Sequence, residues 1–558
     1  MLRNRLPDDQ AEYPDPRFGI DLRSSLEDLQ PGQAEFLKNC YYDGGVRKRA
    51  GSVSVNSLRY SVKRGCGGTK VYPNDAVPFR LIAYDTALAT VTDAGAIATL
   101  TSGLTSDHDT RFQTWTLTDA TYVCNGADPL AYVDNITQAY ATISGTNIPP
   151  SPTQAVPFLD RLFVLQDGIV LTSDPRTDTV FASTTSTWAA YKPVGSAGGV
   201  NAMHLHSVTG QQGDPLAQLL LFKQASVSAL TGLDLGDDVT SLTIPAGYDG
   251  QLTLLAHRIG TNSPRSIVTV PGIGTFWVTQ DLNVAWLPFS QVTPLLIGDA
   301  LYSRRTDIYG LNHTNNTKLD QIWMVYHDRK LKLSFPVGSD VYPSIQYWLE
   351  VRALQGVSPT PEQKLEVSWS GPHAGHTPAH VWVEAEGSDL DVLYGLEGDP
   401  GLGTYLYRLH EAGISYDTRG IATANIVSDE ASHYHTFGAP GFLKYLVRLR
   451  VDAGGQLEHT RLEVRDLHGH TTGLTLQLLQ ADGTVFSTHR YGNGIRYGTG
   501  KRYGQTARNN LAWVDIESQI ATASIGDALQ LRIQHATGTF VNNRVLPQVQ
   551  VMKQEQVS

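Results

Sequence analysis

The chain has 558 residues, 41% of them apolar and only 17% charged, with 52 Gly and 28 Pro. That mixture excludes a long-helix or coiled-coil protein and suits many short strands joined by turns. A formal net charge of −11 excludes a general nucleic-acid binder, because affinity for phosphates comes from clustered Lys and Arg.

Three cysteines, Cys40, Cys66 and Cys124, make neither a disulfide framework nor a zinc pattern. They read as free thiols in a reducing cytosol. No run approaches the ~18–20 uninterrupted apolar residues of a membrane span. The opening MLRNRLPDDQ lacks the apolar centre of a signal peptide. The expectation is a protein made and assembled inside a cell.

In chain order, residues 17–52 come first. An acidic, turn-rich stretch from Asp21 to Asp28 leads through Pro31-Gly32-Gln33 to a short amphipathic segment, Gln33–Asn39. Tyr41, Tyr42, the turn Asp43-Gly44-Gly45 and the basic triplet Arg47-Lys48-Arg49 follow. This reads as a tether and a hairpin. Strands are predicted at Arg80–Asp85, Thr114–Leu117, Thr121–Cys124, Leu162–Leu165, Leu219–Lys223, Ser266–Val270, Thr275–Thr279, Gln321–Tyr326 and Lys330–Phe335. Four segments share a strand–turn–strand form: Thr121–Val133, Arg161–Thr172, Thr275–Leu287 and Ile322–Ser334. Their turns carry Asn125-Gly126, Asp167-Gly168, Asp281-Leu-Asn283 and His327-Asp-Arg329, which is hairpin chemistry. The first two and the last two are each spaced by roughly 40–50 residues, a propeller-blade period. A Pro-bearing stretch at 355–380 reads as an insertion. From 437 onward Tyr445–Val451 and Leu462–Val464 read as paired strands, Leu474–Leu478 alternates, and Leu531–Gln534 and Val549–Met552 close the chain.

Six short motifs, in order, resemble the β-propeller tail proteins of tailed phages. The opening is Gly19-Ile-Asp21, Leu29 to Ala34, Asn39, Asp43-Gly44-Gly45 and Arg49-Ala-Gly51. Then come Cys124 to Pro129, Asp160-Arg-Leu-Phe163 with Leu171 to Asp174 and Phe181, and Leu219 to Lys223 with Ser226 and Leu230-Thr-Gly232. Gly260 to Ile267 before Phe276-Trp-Val278, and Phe437-Gly-Ala-Pro440 with Lys444, complete the series. The resemblance is to the nozzle, or tail tubular protein B, of short-tailed phages. It implies an all-β, six-bladed propeller, with an N-terminal arm and opening hairpin at 1–60, blades at 61–436 and a C-terminal β-sheet module at 437–558. It further implies a virion protein: a homo-hexameric ring below a portal-adaptor protein, carrying tail fibres or a needle, through which genomic DNA passes. No cofactor and no catalysis are implied. The alternatives are a receptor- or carbohydrate-binding propeller using Trp348, Trp369 and Trp382, a propeller of a long-tailed phage, and a polysaccharide hydrolase.

Candidate chemistry is sparse. The pairs His204/His206, His433/His435 and His468/His470 each place two imidazoles on one face of a strand, where a metal would need a third ligand. Asp234, Asp237 and Asp238 share one loop, and Glu384 and Glu386 share one strand. Neither set gives the opposed carboxylates of a glycosidase. Arg490, Tyr491, Arg496, Tyr497, Lys501, Arg502 and Tyr503 interleave basic and aromatic residues in a Gly-rich run. With Arg47, Lys48 and Arg49 they are candidates for a subunit interface, alongside an ordinary surface hairpin or a nucleic-acid contact.

Overall fold

A computed structural model describes residues 16–25, 28–43, 45–55, 66–84, 86–158, 161–174, 176–181, 198–209, 215–231, 252–357, 367–374, 378–386, 390–396, 406–411, 414, 416–419, 422–432, 443–455, 460–466, 476–477, 510–515, 525–526, 529–536 and 540–552. Among them the regular structure is strand, with only single turns of 3₁₀ helix between. The hairpin segments form as their turn residues dictate. Thr121 pairs with Val133, Phe163 with Thr172, Thr275 with Leu287 and Trp323 with Ser334. At Asp167-Gly168 and Asp328-Arg329 both turn residues have positive φ, the backbone of a two-residue hairpin loop.

Seven sheets follow one another along the chain, antiparallel throughout except where Tyr416–Arg419 joins the last of them in parallel. The first holds Cys66–Val71, Phe79–Tyr84, Ala87–Val91 and Ile97–Thr101. The second runs from Arg111–Trp115 to Tyr140–Thr142, the third from Gln154–Phe158 to Ile169–Thr172, and the fourth from Val200–Thr209 to Leu252–His257. The fifth runs from Val268–Val270 to Leu295–Leu296 and the sixth from Trp323–His327 to Trp369–His373. The seventh takes His380–Glu386, Leu390–Leu396 and Leu406–Glu411, and then Gly51–Ser54 from the start of the chain. Each sheet packs on the next, and His380–Glu386 of the seventh also packs on Cys66–Val71 of the first. Buried tryptophans lace neighbours together by donating indole N–H bonds across the seams. Trp277 reaches Ile259 O at 2.7 Å, Trp369 reaches Ile297 O at 3.0 Å, and Trp323 reaches Pro378 O at 2.9 Å.

All-β structure is as expected, but the six-bladed propeller with a free arm and a separate closing module is not. Among the described residues every sheet is open, and none closes on itself into a barrel or propeller. No arm is present among the described residues. Ile20, Leu22 and Leu37 are apolar enough to join the core of the fifth and sixth sheets. The segment Gln33–Asn39, the nearest thing to a helix in the sequence, is the strand Ala34–Lys38, paired with Ser428–Ser432. Nor do the two predicted C-terminal strands pair with each other. Leu443–Gly455 pairs with Phe540–Met552, in a sheet shared with Cys40–Tyr42 and Val46–Lys48. Thr460–Asp466 pairs with Leu529–His535, in the sheet of Ala34–Lys38. The stretch 355–380 includes Trp369–His373, the last strand of the sixth sheet.

Candidate functional site

The leading strands of six sheets converge on one cavity of about 280 Å³. The close approach depends on two glycines in Cys66–Val71. A Cβ on Gly67 would lie 2.1 Å from Thr110 O, and one on Gly68 would lie 2.3 Å from the Trp382 ring. Any side chain there would push the first sheet off the second and the seventh.

The cavity wall is basic. Arg111 opens the leading strand of the second sheet, and its Nη1 donates to Gln154 Oε1 at 3.2 Å. Gln154 also takes the Met203 N–H at 2.9 Å and donates to Met203 O at 2.7 Å, tying the third sheet to the fourth. Among the described residues Arg111 forms no ion pair; it lines the cavity, and its guanidinium carries N–H donors beyond the one given to Gln154. Arg265, on the turn Pro264–Ser266, is ion-paired with Asp109 and donates to Ala379 O at 2.9 Å. Asp109 also accepts from Gln321 Nε2 at 3.3 Å. Burial pushes the Asp109 carboxyl up, but Arg265, His380 and the Gln321 hydrogen bond together outweigh it and hold the acid below its usual range. Two imidazoles complete the polar wall. Burial pushes His204 down to about 4, and burial with Arg265 nearby pushes His380 down to about 4. Burial and the neighbouring Arg265 lower Arg111 only to about 10, so it stays charged at neutral pH. The wall therefore holds two guanidinium groups and two neutral imidazoles, and with the Asp109 carboxylate that pairs with Arg265 counted in, the net charge is +1. Beside the arginines lie the apolar Phe112, Met203, Trp323 and Met324.

Nothing in this wall is an activated nucleophile. Cys124 lines the cavity, but burial drives its thiol up to about 12, far from a reactive thiolate. The wall is suited to holding an anion by charge-assisted hydrogen bonds.

The residues singled out in the sequence fall elsewhere, apart from His204. His204 and His206 face the same side of their strand but make no metal site. His204 Nε2 meets Thr269 Oγ1 at 2.8 Å, Thr269 meets Thr275 at 2.8 Å, and Thr275 meets His206 Nδ1 at 2.8 Å. The pair is one end and the other of a hydrogen-bond chain joining the fourth and fifth sheets. Among the described residues no group of His, Cys, Asp and Glu is placed to hold a metal. Glu384 is fully buried and accepts both Nε contacts of Arg80, at 2.8 and 2.9 Å, and the Trp382 indole at 2.8 Å. It ties the seventh sheet to the first. Trp348, Trp369 and Trp382 are all buried, so none offers a face to a sugar.

Of the basic triplet only Arg47 is exposed, where it donates to Asp43 O at 3.1 Å. Lys48 is buried against His535 Nδ1 at 3.3 Å, and burial, with Arg49 beside it, pushes it down to about 8. Arg49 grips Asp417 through two nitrogens and donates to Asn39, Ala50 and Ala374. His433/His435, His468/His470, Asp234, Asp237, Asp238, Arg490, Tyr491, Arg496, Tyr497, Lys501, Arg502 and Tyr503 lie outside the described residues. Sequence reasoning missed Arg111, Asp109 and His380. Each stands at or just before the start of a strand, and no local pattern distinguishes it from a solvated strand end.

No family model matches the chain, and no curated protein matches it. Solved structures with some likeness include a chain of the mitotic checkpoint complex (9% identity, 65% of this chain and 95% of that one, TM-score 0.36). Others are PorZ, a surface component of the type-IX secretion system of Porphyromonas gingivalis (13%, 68% and 42%, TM-score 0.33), and YCF48 bound to D1 peptide (9%, 67% and 99%, TM-score 0.33). Likeness at this level carries no argument about function. With no family model and no curated protein matching, the resemblance to phage nozzle proteins is overturned: a handful of short turn-and-strand motifs recurs in any chain of many hairpins. With it go the virion setting and the DNA-conduit role. The class that fold and cavity define is coarser: an all-β protein of many open sheets around a cationic cavity.

Proposed function

We propose that this protein is a non-catalytic binding scaffold whose cavity takes a small monocarboxylate with an apolar body. The carrying observation is Arg111, a charged guanidinium on the cavity wall with no carboxylate partner among the described residues. Its planar fork suits a carboxylate in two parallel hydrogen bonds. A net charge of +1 matches one negative charge and would leave a dianion half neutralised. Phe112, Met203 and Met324 give the apolar remainder of the ligand its contact.

A thermal-shift series tests this, using benzoate, acetate, succinate and neutral benzamide. Benzoate is expected to raise the melting temperature most and benzamide not at all. An equal response to benzoate and benzamide, or none to any of the four, would sink the proposal. Arg111→Gln should weaken benzoate binding at least about tenfold, the scale of one charge-assisted hydrogen-bond pair.

A further inference from the structure

Away from the cavity, a second group of titratable side chains is enclosed where the sixth sheet meets the seventh. Trp348, 3% exposed, lies at its centre. Lys332 Nζ stands 4.6 Å from the indole centroid, the His373 ring 4.1 Å, the His410 ring 4.7 Å edge-on, and the Tyr41 ring 5.5 Å. Lys332 Nζ donates to His327 Nδ1 at 2.8 Å, while His327 Nε2 donates to Asp391 O at 2.9 Å. His327 is therefore a neutral imidazole with both nitrogens committed. His410 Nδ1 donates to Ala50 O at 3.4 Å, and His373 Nε2 meets Ser370 Oγ at 3.5 Å. The other nitrogens, His373 Nδ1 and His410 Nε2, are buried without a partner.

The charges facing this group come from every element around it. Arg49 is neutralised by Asp417, and Lys330 by Asp328 at 3.2 Å, with Lys330 also 4.5 Å over Tyr41. Tyr41 in turn faces Arg47, Asp43 and Glu350. No carboxylate bonds Lys332, His327, His373 or His410 among the described residues. A proton added to His373 or His410 meets cationic neighbours and no opposing carboxylate, and one added to His327 meets Lys332 and Lys330 with Asp328 alone opposing them. On His327 it would also destroy the acceptor that Lys332 uses.

We propose that these residues form an acid-sensitive latch, closing the strand Cys40–Tyr42 and the seventh sheet onto the sixth at neutral pH and releasing them on acidification. Burial depresses all three imidazoles, His327 to about 3 and His373 and His410 well below 6.5, with Lys332, and for His373 and His410 also Arg49, pushing the same way. The sign follows. The opened seam takes up protons below pH ~6.5 that the closed seam refuses. Latch stability is thus complete above that pH and falls as pH drops through 6 and 5. Each imidazole freed at pH 5.5 favours opening by about tenfold.

Hydrogen exchange on the full chain at pH 7.5 and 5.5, corrected for intrinsic rates, tests the latch. Peptides covering 40–50, 369–374 and 406–411 should lose protection at least about tenfold at pH 5.5, while those covering 79–91 keep theirs. The double variant His373→Gln/His410→Gln should lose most of this pH dependence. Unchanged seam protection in the wild type at pH 5.5 would overturn the latch, as would full pH dependence in the double variant. If that variant does not fold, imidazole NMR on the wild type decides. His373 and His410 should stay neutral while the seam is closed, and titration near pH 6.5 without loss of protection contradicts the proposal.

Discussion

Single residues here hold sheets to one another more than they do chemistry. Glu384 is the clearest case. A carboxylate on a strand invites an enzymatic reading, yet it is fully buried with Arg80, which also donates to Tyr394 Oη at 2.8 Å and pairs with Asp93 at 2.8 Å. Removing one partner of such a pair strands the other charge in the interior. Glu384→Ala should therefore cost roughly 3–5 kcal/mol, read from the shift of the urea midpoint at constant slope. A loss below about 1 kcal/mol would show that the pair is solvated and does not staple the sheets. Arg111 is the contrasting residue. It too lies at a sheet seam, but its charge is met by an amide and not by an acid, and this is why it is assigned to a ligand.

Elements were legible where their cause is local. The hairpin at His327-Asp-Arg329 could be read from the polar break between two apolar runs, and it forms with φ of 50° at Asp328 and 60° at Arg329. Arg329 tolerates a conformation that glycine adopts freely. Arg329→Gly should raise stability by a few tenths to about 1 kcal/mol, the left-handed penalty less the entropy glycine adds to the unfolded chain. Thermal denaturation checks this, and a lower melting temperature would argue against the hairpin geometry. Elements were illegible where their cause is distant. Gly51–Ser54 pairs with Leu406–Glu411, and Ala34–Lys38 with Ser428–Ser432, across more than 350 residues in each case. Nothing within a strand names so remote a partner. The alternation of Ala34–Lys38 fits a helix face or a strand edge until tertiary pairing decides. The cavity was hidden for the same reason: its arginines come from separate sheets and meet only in the fold.

At the scale of the whole molecule, the described part of the opening segment, between residues 16 and 55, is stitching, not a tether. Its strands enter three different sheets: Ala34–Lys38 one, Cys40–Tyr42 and Val46–Lys48 a second, and Gly51–Ser54 the seventh of the series. Deleting residues 1–55 should therefore abolish cooperative unfolding, since it uncovers three sheet edges and part of the largest apolar core at once. A truncated chain that still melts sharply would contradict this. The packing of each sheet on the next brings the leading strands together around the cationic cavity, so fold and proposed function stand on one arrangement. Titration calorimetry of benzoate into the full chain, beside Arg111→Gln, tests that arrangement most directly. A single saturable site in the wild type, weakened at least about tenfold in a variant of unchanged melting temperature, is the result expected. Equal binding by both proteins, or no heat from the wild type, would contradict it.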